Sequence, residues 1–286
     1  MTTVAVTGAT GKTGRVVVAG LLEHGIDVLA VDVAAGPADR ERMAALGAPL
    51  LRADLTDYGQ AVDALSGVDA VVHLANIPAP GLVPAARTLT TNTAMNDNVF
   101  LAAAHNKLSR VVWASSETTL GLPFDVPPRY APVDEDHYPY PTSTYALSKV
   151  LGETAAGHIA QWSGIPFVGL RLSNVHTEDD YRLVPGYQDD PHLRKWNLWG
   201  YVDARDVAEA CRLALTAEVT GAHSFVIAAA DTIMDRPSAE LLAEVFPGVA
   251  LTRGIGTYET LLGIGRAREV LGYVPRYSWR DAVGEG

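Results

Sequence analysis

The alternation of apolar runs with helical patterns constrains the fold of this chain more than any other feature of its sequence. In the first two-thirds of the 286 residues, short runs rich in β-branched residues alternate with segments of helical periodicity. The runs are apolar on both faces, which is typical of parallel strands covered by helices on two sides. The sequence therefore predicts an α/β fold with a doubly wound parallel sheet. The predicted strands are residues 4–7, 27–33, 49–55, 69–75, 110–116 and 167–172.

Two proline-rich segments, residues 77–89 and 121–141, interrupt this alternation. Proline fixes the backbone and removes a hydrogen-bond donor, so we expect ordered loops here rather than strands. Both segments follow the carboxyl end of a strand, the edge at which open α/β sheets bind ligands. Helices are predicted over residues 11–24, 58–65, 92–105, 143–162, 204–215, 237–245 and 265–271, and a further strand over residues 223–228.

The pattern loosens after residue 172, where a polar stretch runs to residue 198. We therefore predict a nucleotide-binding core over residues 1–173, completed by about residues 200–228. The remainder, mainly residues 174–286, is predicted to form a small C-terminal lobe that binds the substrate. A hydrophobic content of 48% is sufficient for a sizeable core of this kind.

A glycine-rich segment, Thr-Gly-Ala-Thr-Gly-Lys-Thr-Gly over residues 7–14, joins the first predicted strand to the first predicted helix. Gly8 ends the strand, Gly11 lets the backbone approach a pyrophosphate, and Gly14 lets the helix pack closely on the sheet. The free N–H groups at the positive end of the helix can then bind phosphate. The cofactor-binding residues predicted in this segment are Gly8, Gly11, Lys12, Thr13 and Gly14.

Two acidic residues at strand ends indicate which nucleotide is bound. A carboxylate at Asp32 would accept hydrogen bonds from the adenosine ribose and repel a 2′-phosphate, which favours NAD over NADP. A turn-capping role for Asp32 is the alternative, and Arg15 and Arg40 are available to a phosphate. Asp54 and Leu55 end the third predicted strand, where an adenine edge can lie, although Asp54 also suits the N-cap of the next helix.

Tyr145 and Lys149 lie four residues apart and therefore on one face of a predicted helix. A tyrosine with an unperturbed pKa near ~10 is a weak base at neutral pH. An ammonium group nearby stabilises the phenolate, so we expect Lys149 to lower the pKa of Tyr145. Tyr145 can then accept a proton from an alcohol while hydride passes to a nicotinamide, whose ribose Lys149 can hold. The spacing also occurs by chance in amphipathic helices.

Ser115 and Ser116 end the predicted strand over residues 110–116, at the same edge of the sheet. A serine hydroxyl at this position can donate a hydrogen bond to the reacting oxygen and stabilise the charge that develops on it. A serine that caps a turn is the alternative interpretation.

The charge and cysteine content exclude several classes of function. With 22 basic and 33 acidic residues the net charge is −11, and no basic block marks a site for nucleic acid or an anionic membrane. No apolar stretch approaches the ~18 residues of a membrane span, so a cytoplasmic location is expected. Cys211 is the only cysteine and the eight histidines are scattered, so no metal site is predicted. His73 is expected to be a packed core residue.

Taken together, these residues resemble the extended short-chain dehydrogenase/reductase family, specifically its NAD-dependent epimerase/dehydratase group. The resemblance covers essentially the whole chain and implies a Rossmann-type fold with NAD as the cofactor. The matching positions are residues 7–14, 32, 54–55, 72–75, 92–98, 114–116, 145–149, 170–175 and 201–208.

The resemblance also implies roles for individual residues. Gly121 matches the glycine that ends the family's serine motif, which makes Ser116 rather than Ser115 the substrate-orienting hydroxyl. Asn174 matches a substrate-side asparagine, and Asp206 matches an aspartate that we expect to cap a helix and to be structural. The implied catalytic residues are Ser116, Tyr145 and Lys149, and the implied cofactor-binding residues are Gly8, Gly11, Gly14, Asp32, Asp54, Leu55, Leu74, Ala75, Asn92, Tyr145 and Lys149.

Departures from the family pattern bear on the substrate. Dehydratases of this group follow the active hydroxyl with Asp-Glu, whereas Glu117 and Thr118 stand here, which disfavours elimination of water. Enzymes of nucleotide sugars carry an arginine where this chain has Trp199, and the stretch from Asn174 to Trp199 is short for such a substrate. These features favour a smaller ligand, and the short lobe is similar to that of uronate dehydrogenases, which oxidise free sugar acids.

Three hypotheses follow. The first is an NAD-dependent oxidoreductase acting on a sugar hydroxyl or carbonyl, with a free sugar or uronic acid favoured. The second is a nucleotide-sugar 4-epimerase of the UDP-hexose type, and the third is a non-catalytic NAD-binding regulator, whose relatives generally lack the tyrosine–lysine pair. A homodimer is possible by analogy with this fold.

Arginines available for a carboxylate are Arg87, Arg129, Arg182 and Arg194, and tryptophans available for sugar stacking or lobe packing are Trp196, Trp199 and Trp279.

Overall fold

A seven-stranded parallel sheet forms the centre of the structure, a computed structural model that describes residues 2–283. The strands are β1 (Thr3–Thr7), β2 (Asp27–Asp32), β3 (Leu50–Arg52), β4 (Ala70–His73), β5 (Arg110–Ser116), β6 (Tyr130–Ala131), β7 (Phe167–Leu172), β8 (Val175–His176), β9 (Val202–Asp203), β10 (Ala222–Ile227) and β11 (Ala250–Leu251). The α-helices are α1 (Lys12–Glu23), α2 (Pro37–Leu46), α3 (Tyr58–Ala64), α4 (Ala85–His105), α5 (Thr144–Ser163), α6 (Ala204–Thr216), α7 (Ser238–Val245), α8 (Gly265–Leu271) and α9 (Trp279–Val283). Four 3₁₀ helices span Glu117–Leu120, Glu178–Tyr187, Pro191–Leu193 and Lys195–Asn197.

The strand order of the sheet is β3-β2-β1-β4-β5-β7-β10, and every neighbouring pair in it is parallel. The chain builds outward from β1 in one direction and then returns to add β4 on the other side of β1. A crevice forms outside the carboxyl ends of the two strands at such a reversal, which is where open α/β sheets bind ligands. The predicted doubly wound, Rossmann-type sheet is therefore confirmed.

Both faces of the sheet are buried, and successive residues of a strand supply opposite faces. Val4 and Val6 of β1 belong to the hydrophobic cluster that includes residues of α1 and α6. Ala5, between them, belongs to the cluster formed with α3, α4 and α5. Burial on two sides explains why the strands are apolar throughout rather than alternating.

A third hydrophobic cluster lies beyond the carboxyl end of the sheet and includes Trp199, Tyr201, Phe246 and Leu262. Leu120, which precedes the second proline-rich segment, is also part of it. The cluster gives the C-terminal half of the chain its own apolar interior, with residues from both sides of position 173. The division into a core over residues 1–173 and a lobe over residues 174–286 stays a prediction.

The predicted start of one helix is wrong, and another helix is absent from the prediction. Helix α4 begins at Ala85 and not at residue 92, because the proline-rich segment ends with Pro84, which occupies the helix N-cap. Helix α2 was not predicted at all: Met43 is its buried residue, so it shows little apolar periodicity. Pro37 in its first turn and the left-handed Gly47 after its last residue were readable signals of its two ends.

The segment over residues 121–141 is an ordered loop, as predicted, apart from the two-residue strand β6, which pairs with β11. Asp206 does not cap helix α6, since the capping side chain is that of Asp203. The Asp206 carboxylate instead accepts hydrogen bonds from the main-chain N–H groups of Arg276 and Tyr277, at 2.9 and 3.2 Å. Its role is structural, and it joins α6 to the C-terminal segment.

Within residues 2–283, no helix is both long and apolar enough to cross a membrane. Over the same residues, no group of three or more histidine, cysteine or acidic side chains is arranged to hold a metal ion. Cys211 is buried in α6, where burial raises the pKa of its thiol to about 12. His73 is also fully buried, in β4.

Candidate active site

A cavity of about 1190 Å³ opens at the carboxyl ends of β1, β4, β5 and β7. Its volume exceeds the range of roughly 300–1,000 Å³ that holds one small ligand, so a dinucleotide and a second molecule both have room. The lining includes all of the predicted site residues except Asn92: Gly8, Gly11, Lys12, Thr13, Gly14, Asp32, Asp54, Leu55, Leu74, Ala75, Ser116, Tyr145, Lys149 and Asn174.

The nucleotide end of this cavity, defined by the glycine-rich segment and the ends of β2 and β3, is built mainly from the backbone. Gly8 adopts a left-handed conformation (φ +69°), and a Cβ there would lie 2.8 Å from the amide nitrogen of Ala75. A Cβ on Gly14 would lie 2.1 Å from the carbonyl oxygen of Gly8. Helix α1 begins at Lys12 without a side-chain N-cap, so its first N–H groups can receive an anion. This loop fits the pyrophosphate of a dinucleotide.

Asp32 lines the cavity and also caps a turn, while its predicted contact with the adenosine ribose stays a prediction. Its carboxylate accepts hydrogen bonds from the N–H and hydroxyl groups of Thr10, at 3.0 and 2.8 Å, and from the N–H of Ala34. Asp54 is not a helix N-cap, because Asp57 caps α3. Hydrogen bonds from Thr56 lower the pKa of the Asp54 carboxyl, so this end of the cavity presents two carboxylates to a ligand's hydroxyl and amino groups.

Asn92 does not line the cavity and instead fixes a segment that does. Its buried side chain accepts a hydrogen bond from the N–H of Ile77 at 2.8 Å and donates one to the carbonyl oxygen of Ile77 at 3.1 Å. It therefore holds the segment after β4 that lines the cavity. In the structure Asn92 supports the wall of the site and is not part of the surface that faces a ligand.

The substrate end of the cavity begins where α5 faces the end of β5. Tyr145 lies in the first turn of α5, whose N-cap Ser143 accepts a hydrogen bond from the N–H of Ala146. Lys149, one turn later, donates to the carbonyl oxygen of Ala114 at 2.7 Å, with its Nζ 5.5 Å from the centre of the Tyr145 ring. Ser116, at the end of β5, lines the same cavity, and its hydroxyl oxygen accepts hydrogen bonds from the N–H and hydroxyl groups of Thr118 at 3.2 and 3.0 Å. The predicted catalytic trio is therefore brought together.

The protonation of this trio differs from the prediction. Burial raises the pKa of Tyr145 to about 12, with the negative charge of Glu117 adding to the effect and the Ser116 hydrogen bond opposing it. Burial also lowers the pKa of Lys149 to about 7, and the Glu153 carboxylate opposes this shift. The net shift of the Tyr145 pKa is therefore opposite to the predicted lowering, because desolvation penalises the charged form of both groups.

Glu117 is a buried carboxyl group at the substrate end, directly after Ser116. One of its oxygens accepts a hydrogen bond from Ser173 at 2.6 Å, and the other accepts one from Asn197 at 3.2 Å. Burial is the largest influence on it and raises its pKa to about 7. A buried, perturbed carboxyl group in a cavity is typical of functional sites. In the sequence, Glu117 is recognisable only as a departure from the dehydratase pattern.

Of the four arginines considered for a substrate carboxylate, Arg87 lines the cavity. Arg129 stacks over the ring of Tyr138 at 4.0 Å, and Arg182 pairs with Asp179. Arg194 is buried, and its guanidinium lies about 5 Å from the ring of Trp196. Trp196 lines the cavity, whereas Trp199 and Trp279 pack inside the third hydrophobic cluster.

Sequence comparison identifies related proteins over most of the chain. A UDP-glucose 4-epimerase of Corynebacterium glutamicum is 28% identical over 316 aligned residues, which cover 96% of this chain and 91% of that protein. An L-arabinose 1-dehydrogenase (NAD(P)(+)) of Haloferax volcanii is 30% identical over 191 residues, covering 64% of this chain and 70% of that protein.

The structure is also similar to solved structures. A crystal structure of a UDP-galactose 4-epimerase superimposes with a TM-score of 0.72 at 26% identity, covering 98% of this chain and 96% of that one. The sequence profile of the NAD-dependent epimerase/dehydratase family matches residues 4–228, more than three-quarters of the chain. The glycine loop at the strand-order reversal and the match across this range lead to one conclusion: the chain belongs to the NAD-dependent epimerase/dehydratase family.

Proposed function

We propose that this protein is an NAD-dependent oxidoreductase that moves hydride between the cofactor and a hydroxyl-bearing carbon of a sugar, with a free sugar or sugar acid as the substrate. One observation carries the proposal: Tyr145, Lys149 and Ser116 converge in the same cavity as the glycine loop. That arrangement puts a proton donor and acceptor within reach of any alcohol that occupies the substrate end.

The nucleotide end supports the cofactor part of the proposal. The N–H groups at the start of α1 would bind the pyrophosphate, and Asp32 would bind the adenosine ribose. Lys149 would hold the ribose on the nicotinamide side. When bound, the cofactor supplies a ring that accepts or returns hydride.

The residues at the substrate end would transfer the proton to or from the substrate oxygen. Ser116 would donate a hydrogen bond to the substrate oxygen and keep it beside Tyr145. With a pKa of about 12, the Tyr145 phenol is protonated at neutral pH and suited to donate a proton to a carbonyl. In the oxidative direction Tyr145 has to accept a proton, which requires a positive charge close by to stabilise the phenolate. Lys149 is the nearest candidate.

The size and chemistry of the substrate end favour a small ligand. Trp199, which stands where nucleotide-sugar enzymes carry an arginine, is fully buried in the third hydrophobic cluster. Trp196 offers an aromatic face of the kind on which sugar rings stack. Arg87, also in the lining, would bind a carboxylate through charge-assisted hydrogen bonds.

A substrate screen tests the proposal. Purified protein is incubated with NAD or NADP and separate panels of free aldoses, uronic acids and UDP-sugars, and reduced cofactor is followed by absorbance. We expect NADH from a free sugar or uronic acid, and none when Tyr145 is replaced by Phe. NADH formation that survives Tyr145→Phe contradicts the mechanism.

A UDP-hexose 4-epimerase is the second candidate, favoured by the Corynebacterium glutamicum relative that aligns with 96% of the chain. An epimerase oxidises and re-reduces the same carbon, so it would interconvert UDP-sugars without net NADH. Product analysis of the UDP-sugar panel by chromatography separates the two functions. A non-catalytic regulator is disfavoured, because it would not need the assembled trio of Ser116, Tyr145 and Lys149.

A further inference from the structure

A buried ion pair lies one helical turn beyond the catalytic lysine. Glu153 follows Lys149 by four residues, so Tyr145, Lys149 and Glu153 share one face of α5. The two Glu153 oxygens accept hydrogen bonds from Nε and Nη2 of Arg171 in β7, at 2.9 and 2.8 Å. The side chains of Arg171 and Glu153 are only 6% and 14% exposed.

Ser115, the serine to which the family resemblance assigns no catalytic role, completes this arrangement. Its hydroxyl donates to Glu153 at 2.6 Å, and it lies directly opposite Arg171 in the β5–β7 register. Glu153 therefore has three hydrogen bonds, all to groups that are themselves fixed by the sheet. A carboxylate that accepts hydrogen bonds from three fixed donors keeps its position.

The other charged or titratable groups around Lys149 do not substitute for Glu153. His73, in β4, is buried and has its pKa lowered to about 3, so it is neutral at physiological pH. Glu117 acts on Tyr145, whose phenolate it disfavours. Glu135, in the proline-rich segment, accepts a hydrogen bond from the N–H of Val226 and interacts electrostatically with Arg171. Glu153 is thus the anion among the described residues whose charge favours the ammonium form of Lys149.

We propose that Glu153 is a positioning residue for the catalytic pair: its carboxylate, fixed by Arg171 and Ser115 on the same face of α5, favours the ammonium form of Lys149 so that Lys149 can stabilise the Tyr145 phenolate. The inference rests on the proposed function for its catalytic consequence. Its effect on Lys149 itself does not depend on turnover. Without Glu153, burial would leave Lys149 largely neutral, and proton acceptance by Tyr145 would need a higher pH.

The direct test measures the amine of Lys149 in the full-length protein without substrate. Competitive labelling with acetic anhydride across a pH series, read by peptide mass spectrometry, reports the pH at which Lys149 becomes nucleophilic. In Glu153→Gln this midpoint should fall by about one pH unit, the effect expected from losing one nearby opposite charge. Glu153→Asp, which keeps the charge, should retain the wild-type midpoint. An unchanged midpoint in Glu153→Gln, or an equal fall in both variants, overturns the proposal.

The second test follows the pH profile of kcat/KM for NADH formation. The acid limb of Glu153→Gln should move up by about one pH unit, which is about tenfold less activity at a pH below the limb. A purely structural role would lower activity equally at every pH and leave the limb in place. If the wild type forms no NADH with any substrate, the proposed function fails, while the labelling result still decides the role of Glu153.

Removing Glu153 alone leaves Arg171 as an unpaired buried cation, which can prevent folding. The double variant Glu153→Gln with Arg171→Gln removes both charges together and avoids this. Its labelling midpoint should still lie below that of the wild type, because Glu153 is on the same helix face as Lys149. A wild-type midpoint in the double variant would show that the pair is a structural tie only, and would overturn the proposal.

Discussion

The nucleotide end and the substrate end of the cavity are built in different ways. At the nucleotide end, Gly8, Gly11 and Gly14 lie within seven residues of one another, and contacts between backbone atoms shape the loop. At the substrate end, Glu117 is held by Ser173 and Asn197, which are 56 and 80 residues away in the sequence. The first end depends on local sequence, whereas the second depends on side chains that only the fold brings together.

The two ends also differ in what shifts the pKa values of their titratable groups. Hydrogen bonds from its neighbour Thr56 lower the pKa of Asp54 at the nucleotide end, so its carboxylate is ready to receive hydrogen bonds. At the substrate end, burial raises the pKa values of Glu117 and Tyr145 and lowers that of Lys149, which favours the neutral form of each group. The nucleotide end therefore presents a carboxylate that can accept hydrogen bonds from a ligand. The substrate end contains three titratable groups with perturbed pKa values, which is typical of functional sites.

The largest effect is expected from breaking the nucleotide end. In Gly14→Ala the new Cβ would lie 2.1 Å from the carbonyl oxygen of Gly8, so the loop must move away from its phosphate-binding shape. We expect the Kd for NAD to rise by on the order of 100-fold, measured by calorimetry. Gly157→Ala in α5, where a Cβ meets no atom within 4 Å, is the matched control. NAD binding of normal strength in Gly14→Ala would contradict this account of the loop.

The next effect separates chemistry from cofactor binding. Ser116→Ala removes the hydroxyl that we propose orients the reacting oxygen, and we expect kcat to fall by about 100-fold with an unchanged Kd for NAD. Ser109→Ala, immediately before the other end of β5, is the control and should retain full activity. A rise in the Kd for NAD with normal kcat would place Ser116 at the nucleotide end instead.

A third prediction concerns stability at the substrate end. The pKa of Glu117 is raised to about 7 in the folded protein, so the folded state holds this proton more tightly than the unfolded state. The contribution of Glu117 to stability is therefore complete below about pH 4.5 and is lost as the pH rises to about 7. Glu117→Gln should remove this loss. Between pH 4.5 and pH 7, the free energy of unfolding of the variant should therefore rise relative to that of the wild type by on the order of 2–3 kcal/mol.

Urea unfolding of both proteins over pH 4.5–7.5 provides the measurement for Glu117. The comparison between variant and wild type cancels the other groups that titrate in this range, such as Asp206. Glu41→Gln, on the exposed surface of α2, serves as the control for loss of a carboxyl group. Parallel stability curves for wild type and Glu117→Gln would show that Glu117 is ionised without penalty.

The smallest effect is expected at an ion pair beside the glycine loop. Lys12, the first residue of α1, pairs with Asp180 at 3.0 Å and also donates to the carbonyl oxygen of Val175. Both charged side chains are partly exposed, so Asp180→Ala should speed NAD dissociation by no more than about fivefold, and less at high salt. Stopped-flow fluorescence measures the rate, with Asp179→Ala as the neighbouring control. Equal rates in both variants would dismiss the contact.

The strands and the cofactor loop were predictable because their signals are local. The predicted bounds of β5 and β7 match the structure, and the predicted cofactor residues apart from Asn92 line the cavity. Asn92 was assigned to the right region, but its side chain grips Ile77. Helix α2 gives little apolar periodicity because it buries one residue, Met43. The prolines before α4 predict a longer loop than the structure has, because Pro84 occupies the N-cap of that helix.

The sequence by itself determined the doubly wound sheet, the glycine cradle and the tyrosine–lysine pair, since each is encoded by spacing within one or two adjacent elements. Only the tertiary structure decided how Glu117, Ser115 and Glu153 are partnered and whether Arg87 or Arg194 reaches the cavity. It also decided the protonation of Tyr145 and Lys149, reversing the expected shift for the tyrosine. The reason is physical: the free energy of a charge depends on how much water the folded chain excludes and which distant groups replace it.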